Sequence, residues 1–157
     1  MNINSKHRTN AIEIMDDFTL EGEILREALD KIAKINQLLG GNNLTLQGVL
    51  HLLSKESTKK EVIIVDIGCG NGDMLRTLAV YANKNDLNFK LIGIDANQFT
   101  IEHAESLSKN YRNISYRCED IFDDNFKSLK YDILLIRLCR VDCRPDYQYR
   151  IRRTFPG

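Results

Sequence analysis

Apolar residues in the first third of the chain recur at intervals of three and four positions, the repeat of an amphipathic helix. From Leu20 onward they fall at Ile24, Leu25, Ala28, Leu29, Ile32, Ile35 and Leu39. The pair Gly40-Gly41 then ends the pattern, as glycine commonly does at a helix C-terminus. A shorter helical pattern follows at Leu46, Val49, Leu50 and Leu53. The spacing predicts two N-terminal helices, followed by a charged linker over residues 54–61.

The pattern changes at Val62, where a run of β-branched residues continues to Ile67 and is broken only by Asp66. Such a solid apolar run is typical of a buried parallel strand. Three further strands are predicted at residues 90–94, 114–117 and 131–136. Helices are predicted at residues 73–84 and 100–109, the former with Met74, Leu75, Leu78 and Ala82 facing inward. Strands that alternate with helices indicate the α/β class with a doubly wound, Rossmann-like parallel sheet.

The bulk properties are those of a soluble globular protein of 157 residues, with 43% hydrophobic and 28% charged residues. The formal net charge is zero, which gives no indication of a nucleic-acid partner. The chain has no apolar run of about 18 residues, so no membrane partner is expected. The N-terminus lacks the apolar segment of a signal peptide, and we therefore expect a cytoplasmic location. The oligomeric state is not indicated.

The last 21 residues differ in composition from the rest. Residues 137–157 hold six arginines and no lysine, whereas residues 1–136 hold five arginines and eleven lysines. Three regions are therefore expected: an N-terminal helical cap (1–58), a ligand-binding core (59–136) and an atypical Arg-rich tail (137–157). The tail indicates a truncated or frameshifted end, with a phosphate- or RNA-binding tail as the alternative. Cys139 and Cys143 lack the further ligands that a zinc site requires, so no metal is expected.

Three glycines at alternate positions, Gly68, Gly70 and Gly72, directly follow the first predicted strand. In an open parallel sheet, ligands bind at the carboxyl ends of the strands. Glycine permits a tight turn there and lets a ligand lie on the backbone. The helix that begins near Asp73 is expected to point its N–H groups at an anionic group. The alternative is that these are ordinary turn glycines.

Acidic residues end the first three predicted strands. Asp66 stands two positions before the first glycine, where its charge would repel a pyrophosphate but suits an ammonium group. Asp95 ends the second strand, where a carboxylate can accept both hydroxyls of a ribose. Asp120 follows the third strand and can accept from an adenine amine, with the N–H of Ile121 donating to the ring. The alternatives are a loop-bonding role for Asp66, a turn role for Asp95 and a plain acidic loop for Asp120.

This combination resembles the class I S-adenosylmethionine-dependent methyltransferases. The octapeptide Val65-Asp66-Ile67-Gly68-Cys69-Gly70-Asn71-Gly72 is similar to motif I of that family, and residues 131–136 are similar to its fourth strand. Asp95 and Asp120 match the ribose-side and adenine-side acids. Met15-Asp16-Asp17 and residues 35–41 resemble the leader of small bacterial methyltransferases. The resemblance covers about residues 60–136.

The resemblance implies S-adenosylmethionine as cofactor and a small-molecule acceptor, of the hydroxyl or phenol type, as substrate. It implies that Asp66 and the glycine loop hold the methionine end, and that Asp95 holds the ribose. The cofactor-binding residues expected are Asp66, Gly68, Cys69, Gly70, Asn71, Gly72, Asp95, Ala96, Asp120 and Ile121. No general base is identified. His51 and His103 are interpreted as surface or interhelix residues.

Two other functions remain open. Domains of the family have seven strands, and only four are readable here, which favours a module that binds the cofactor without turnover. The fourth strand would then be an exposed apolar edge. A nicotinamide-dependent oxidoreductase is the other possibility, but the fingerprint of that class is Gly-x-Gly-x-x-Gly. The spacing Gly-x-Gly-x-Gly and the charge of Asp66 both disfavour it.

Overall fold

The computed structural model describes residues 21–53, 61–122, 126 and 128–136, which form four helices and four strands. In chain order the elements are α1 (Glu23–Leu38), α2 (Gly41–Leu53), β1 (Val62–Ile67), α3 (Asp73–Lys84), β2 (Phe89–Asp95), α4 (Gln98–Ser108), β3 (Ile114–Cys118) and β4 (Ile133–Ile136). The α/β class predicted from the sequence is confirmed. The Arg-rich tail and Cys139 and Cys143 lie outside the described residues.

The four described strands form one parallel sheet in the order β3-β2-β1-β4. Strand β1 lies between β2 and β4, with Asp66 opposite Gly93 on one side and Leu135 on the other. Because the strands are parallel, the loops after β1, β2 and β3 emerge at the same edge. The predicted glycine loop and strand-end acids are therefore brought together. Strand β4 is an edge of the described sheet, and Ile136 at its end is exposed.

Two apolar clusters cover the faces of the sheet. The larger one packs α2 and α3 against the sheet and includes Ile64, Met74, Leu75, Leu78 and Leu91, each with no exposed surface. The smaller one, on the other face, consists of Val65, Ile92 and Ile94, with partly buried residues such as Ile121 and Leu129 packed against it. Burial of side chains of this size stabilises a fold by about 1.5–3 kcal/mol each. The inward positions predicted for α3 are all buried.

Helix α1 buries a narrower face than its apolar pattern suggested. Only Leu25, Leu29 and Ala33, spaced four apart, are buried. Most of the other apolar positions in the pattern are exposed: Ile24, Ile32, Ile35 and Leu39. The predicted amphipathic helix is present, but only part of its apolar pattern is buried, along the line of Leu25, Leu29 and Ala33. That line runs across α2 and α4.

The predicted element bounds hold within two or three residues, with one exception. Helix α2 begins at Gly41, five residues before its first predicted apolar position, because Gly40 turns the chain with a φ of +75°. Strand β4 begins at Ile133, two residues after the predicted start at Tyr131. Just before it, Asp132 donates its N–H to the carbonyl of Ile63, and its carboxylate accepts from the N–H of Ile63. No helix among the described residues is long and apolar enough to cross a membrane.

Candidate cofactor site

The loop between β1 and α3 has a backbone that requires glycine at three positions. Gly68, Gly70 and Gly72 have φ values of +65°, +54° and +77°. In this left-handed region an L-residue with a side chain is strained by roughly 1–2 kcal/mol. The three glycines are therefore determined by the backbone conformation, as the sequence predicted. Gly72 also forms the N-cap of α3.

The N–H groups of this loop are used inside the protein. Those of Gly68 and Cys69 donate to the carbonyl of Ile94, at 2.8 and 3.1 Å. The N–H of Asp73, the first residue of α3, donates to Oδ1 of Asn71 at 3.2 Å. The Asn71 side chain therefore caps this one N–H, and the expectation that the start of α3 points its N–H groups at an anionic group stays a prediction. At Gly68 the loop presents backbone atoms that no side chain of its own covers.

Space for a ligand lies directly above Gly68. A Cβ atom built at this residue would meet no atom within 4 Å. At Gly70, the nearest atom to a Cβ would be the Leu29 side chain of α1 at 3.6 Å. The missing side chain of Gly68 thus opens a cradle at the edge of the sheet, with α1 beside it. The open space at Gly68 lies where the sequence predicted that a ligand approaches the backbone.

Tyr116 on β3 is a residue that the sequence interpretation missed. A Cβ at Gly72 would lie 2.0 Å from its hydroxyl oxygen, and a Cβ at Gly93 would lie 2.6 Å from its ring. Its hydroxyl lies 2.7 Å from Oγ of Ser108, and burial raises its pKa to about 12. The ring therefore fills the space under the glycine loop. A glycine within β2, at the position paired with a large aromatic residue of β3, is the signal that indicates such a contact.

Asp95 joins the end of β2 to the glycine loop. Its Oδ2 accepts from the N–H of Gly70 at 3.2 Å, and its Oδ1 accepts from the N–H of Asn97 at 3.1 Å. A carboxylate has about four lone-pair sites, so each oxygen can accept a second hydrogen bond. Burial raises the pKa of Asp95, although these backbone hydrogen bonds oppose that shift. The carboxylate is thus held rigidly beside the cradle, with capacity for a pair of hydroxyl donors.

Asp66 lies inside the protein at the end of β1. Its side chain is completely buried on the side of the sheet that α3 covers. Cys69, in the loop that follows, is also fully buried, which agrees with a small residue that fills space. Contact of Asp66 with an ammonium group stays a prediction. The two residues nonetheless support the loop from beneath.

The segment after β3 lies next to the end of β2, because the N–H of Glu119 donates to the carbonyl of Asp95 at 3.1 Å. Asp120 is exposed, and its Oδ1 accepts from the N–H of Phe122 at 2.9 Å. Ile121 is half-buried against the smaller apolar cluster. Ala96 is exposed beside Asp95. The sheet thus brings Asp95, Ala96, Asp120 and Ile121 to one edge, and their individual contacts with a ligand stay predictions.

Asn71 uses its side chain within the protein. Its Nδ2 donates to Oδ1 of Asp30 on α1 at 2.9 Å, and the Nε2 of His103 on α4 lies 3.0 Å from the same oxygen. The interpretation of His103 as an interhelix residue is confirmed. Asp30 was missed, although it interrupts an apolar face between Leu29 and Ala33. Helix α2 also reaches the loop region, because Nδ2 of Asn42 donates to Oδ2 of Asp73 at 2.9 Å.

Comparison with known proteins agrees with this geometry. The sequence model of a protein family described as a methyltransferase domain matches residues 58–153. Protein-lysine N-methyltransferase EFM4 of Saccharomyces cerevisiae is 35% identical over 77 residues, which are 46% of this chain and 31% of that protein. The chain thus spans about a third of the length of this curated relative.

Solved methyltransferase structures share the fold. The plantazolicin methyltransferase BpumL, in complex with a triazolic desmethylPZN analog and SAH, is 26% identical with a TM-score of 0.54. That match covers 72% of this chain and 41% of BpumL. The CurJ carbon methyltransferase is 20% identical with a TM-score of 0.53, over 60% of this chain and 26% of that one. The chain thus spans less than half of the length of either structure.

Proposed function

Because the chain belongs to the methyltransferase domain family, whose model matches residues 58–153, we propose that it transfers a methyl group from S-adenosylmethionine to a small-molecule acceptor of the hydroxyl or phenol type. The family and its cofactor were both expected from the glycine loop and the strand-end acids, and both are confirmed. The observation that carries the proposal is the hydrogen bond between Asp95 and Gly70. It holds the carboxylate that we expect to bind the ribose next to the glycine loop.

Each part of the site has a role in holding the cofactor. Asp95, with Ala96 beside it, would accept the two ribose hydroxyls, because a carboxylate matches two neighbouring O–H donors. Gly68 would leave room for the methionine portion to lie on the backbone. Asp120 and the N–H of Ile121 would take the adenine. Asp66 would supply negative charge from beneath the loop, complementary to the ammonium group.

The bound cofactor supplies an activated, positively charged sulfonium methyl group. The chain's own residues then have to orient the acceptor in line with the methyl group and exclude water. A hydroxyl or phenol acceptor must also lose a proton. Among the described residues, His103 is the buried histidine nearest to the loop, but its Nε2 is used by Asp30. We therefore assign no general base.

A protein lysine is the second candidate acceptor, since the similar protein from Saccharomyces cerevisiae is a protein-lysine methyltransferase. A lysine acceptor must also be deprotonated, but its neutral amine is a stronger nucleophile than a phenol. The third candidate is the alternative raised by the sequence, that this chain binds the cofactor without turnover.

One experiment separates these functions. The purified chain would be incubated with S-adenosylmethionine that carries a labelled methyl group, together with either a panel of phenols and hydroxy acids or lysine-containing proteins. We expect label on a phenol or hydroxyl compound, and no label with Asp95→Ala. Label only on lysine would establish the second candidate. No transfer to any acceptor by a chain that binds S-adenosylhomocysteine would indicate a binding module.

A further inference from the structure

A single carboxylate oxygen of Asp30 connects three segments that are distant in the sequence. Oδ1 accepts from Nδ2 of Asn71, in the glycine loop, at 2.9 Å. It also accepts from Nε2 of His103, on α4, at 3.0 Å. Asp30 itself belongs to α1, so the N-terminal helix reaches both segments that border the cradle. Asp95, the last residue of β2, lies three residues before the start of α4.

Asn71 is the point at which this contact acts on the loop. It stands between Gly70 and Gly72, both in the left-handed region. Its side chain is buried, and its Oδ1 accepts from the N–H of Asp73. Its backbone carbonyl accepts from Nη1 of Arg76. With both ends of the amide bonded, the orientation of Asn71 is fixed, and Asn71 directly follows Gly70, whose N–H donates to Asp95.

The charge of Asp30 strengthens the contact. Burial raises the pKa of this carboxyl, but the hydrogen bonds from His103 and Asn71, with the charge of Lys34 nearby, outweigh it and hold the pKa below its ordinary value. The carboxylate is therefore ionised at neutral pH and acts as an acceptor for both donors. Hydrogen bonds to an ionised acceptor are roughly twice as strong as neutral ones.

Besides Asp30, α1 approaches the site through Leu29, which lies next to Gly70, and through Arg26, whose guanidinium lies 6.0 Å from the ring centre of Phe99 near the start of α4. Its buried side chains are the three apolar residues Leu25, Leu29 and Ala33. Its other ion pairs among the described residues, between Arg26 and Glu23 and between Lys31 and Glu27, lie within the helix and are exposed. Asp30 thus provides a direct polar connection between α1 and the glycine loop.

We propose that Asp30 is a positioning residue, which holds Asn71 so that the glycine loop and Asp95 keep the geometry that binds the cofactor. The proposal rests on the proposed function, since it assigns the loop to cofactor binding. Docking of α1 and binding of the cofactor are then coupled, and such coupling is reciprocal. Loss of the Asp30 contact weakens cofactor binding, and bound cofactor in turn holds α1 in place.

The test compares Asp30→Ala and Asp30→Asn with Glu27→Ala, a matched control that removes an exposed carboxylate from the same helix. Calorimetry gives the Kd of S-adenosylhomocysteine, and hydrogen exchange gives the protection of α1 and of residues 68–72. We expect Asp30→Ala to raise Kd roughly ten-fold, within the usual range of coupling between sites. Asp30→Asn should lie between, because its amide oxygen still accepts one donor. Glu27→Ala should match the wild type.

Exchange measurements keep this inference distinct from the proposed function. Without ligand, Asp30→Ala should speed the amide exchange of residues 68–72, and Glu27→Ala should not. With ligand, α1 amides should be protected in the wild type but not in Asp30→Ala. The positioning role would be overturned if folded Asp30→Ala showed unchanged exchange of the loop amides and an unchanged Kd. If Asp30→Ala does not fold, the same result in Asp30→Asn would overturn it. Failure of the wild type to bind S-adenosylhomocysteine would refute the proposed function, and loop exchange would still decide the role of Asp30.

Discussion

Gly68 and Gly40 offer a matched pair of substitutions that separates ligand binding from backbone strain. Both have left-handed φ values, +65° and +75°, and a Cβ at either residue would meet no atom within 4 Å. Gly68 lies in the cradle between β1 and α3, whereas Gly40 lies between α1 and α2. Replacement by alanine therefore imposes the same kind of strain at both positions, but only one of the new methyl groups enters the proposed cofactor site.

The size of each effect follows from this geometry. The left-handed conformation costs an L-residue about 1–2 kcal/mol. In a domain of this size, each 1 kcal/mol lowers Tm by about 2–4 °C. Both variants should show this loss. A methyl group that intrudes on a packed contact costs about 1–3 kcal/mol, which corresponds to about 5- to 150-fold in Kd. That second loss is expected for Gly68→Ala alone.

Two assays give the answer. Scanning calorimetry should show similar Tm decreases for Gly68→Ala and Gly40→Ala. Titration with S-adenosylhomocysteine should then show weakened binding for Gly68→Ala and wild-type binding for Gly40→Ala. Wild-type affinity in Gly68→Ala would refute the reasoning, because the cofactor would not lie over that residue. An equal loss of affinity in both variants would mean that general destabilisation, not the cradle, is the cause.

Two further predictions concern Gly93 and Asp95. Gly93→Ala should lower the free energy of unfolding by about 1–3 kcal/mol in urea, because its Cβ would lie 2.6 Å from Tyr116 and 2.9 Å from Sγ of Cys69; a wild-type midpoint would show that the ring can move aside. For Asp95, burial raises the carboxyl pKa, so the carboxylate that accepts the ribose hydroxyls is lost at a higher pH than an ordinary aspartate would be. Affinity for S-adenosylhomocysteine should therefore fall as pH decreases toward that pKa. Calorimetric titrations in buffers of different ionisation enthalpy should detect release of a proton on binding, and no proton release at acid pH would contradict this prediction.

The same shift of Asp95 gives the sign of its effect on stability. An acid whose pKa is raised in the folded state binds more protons there than in the unfolded state. Its contribution is therefore greatest at low pH and is lost as pH rises through the raised pKa. Asp30 is expected to affect stability with the opposite sign, because its pKa is lowered in the folded state. Its contribution is present above the pKa that it has in the unfolded chain, and it is lost as pH falls through the folded-state pKa. Cofactor binding, in contrast, needs Asp95 ionised.

Strands β1 and β4 were readable from the sequence because each is a nearly continuous apolar run, and β2 and β3 because short stretches with apolar residues stand between helices and end near acids. The strand-end acids follow from the rule that ligands bind at the carboxyl ends of parallel strands. The sequence therefore predicted the sheet and the edge at which Gly68, Asp95 and Asp120 meet. Helix α3 was equally readable, since its four predicted inward positions are all buried.

The contacts of α1 were not readable from local pattern. Its apolar residues are too many for one stripe, and only packing against α2 and α4 determines which are buried. The hydrogen bond between Asp30 and His103 spans 73 positions, so no local spacing signals it. The use of Asn71 as an internal cap likewise depends on that long-range contact. Its position between two glycines suggested a ligand contact, whereas its side chain is bonded to the protein.

The central claim is that the cradle beside Asp95 binds the cofactor, and calorimetric titration of S-adenosylhomocysteine into the purified chain tests it most directly. Asp95→Ala serves as the site variant and Glu105→Ala, which removes an exposed carboxylate from α4, as the control. We predict binding by the wild type and by Glu105→Ala, with affinity at least about a hundred-fold weaker in Asp95→Ala, because two hydrogen bonds to a charged acceptor are lost. Equal binding in all three, or none by the folded wild type, would contradict the account.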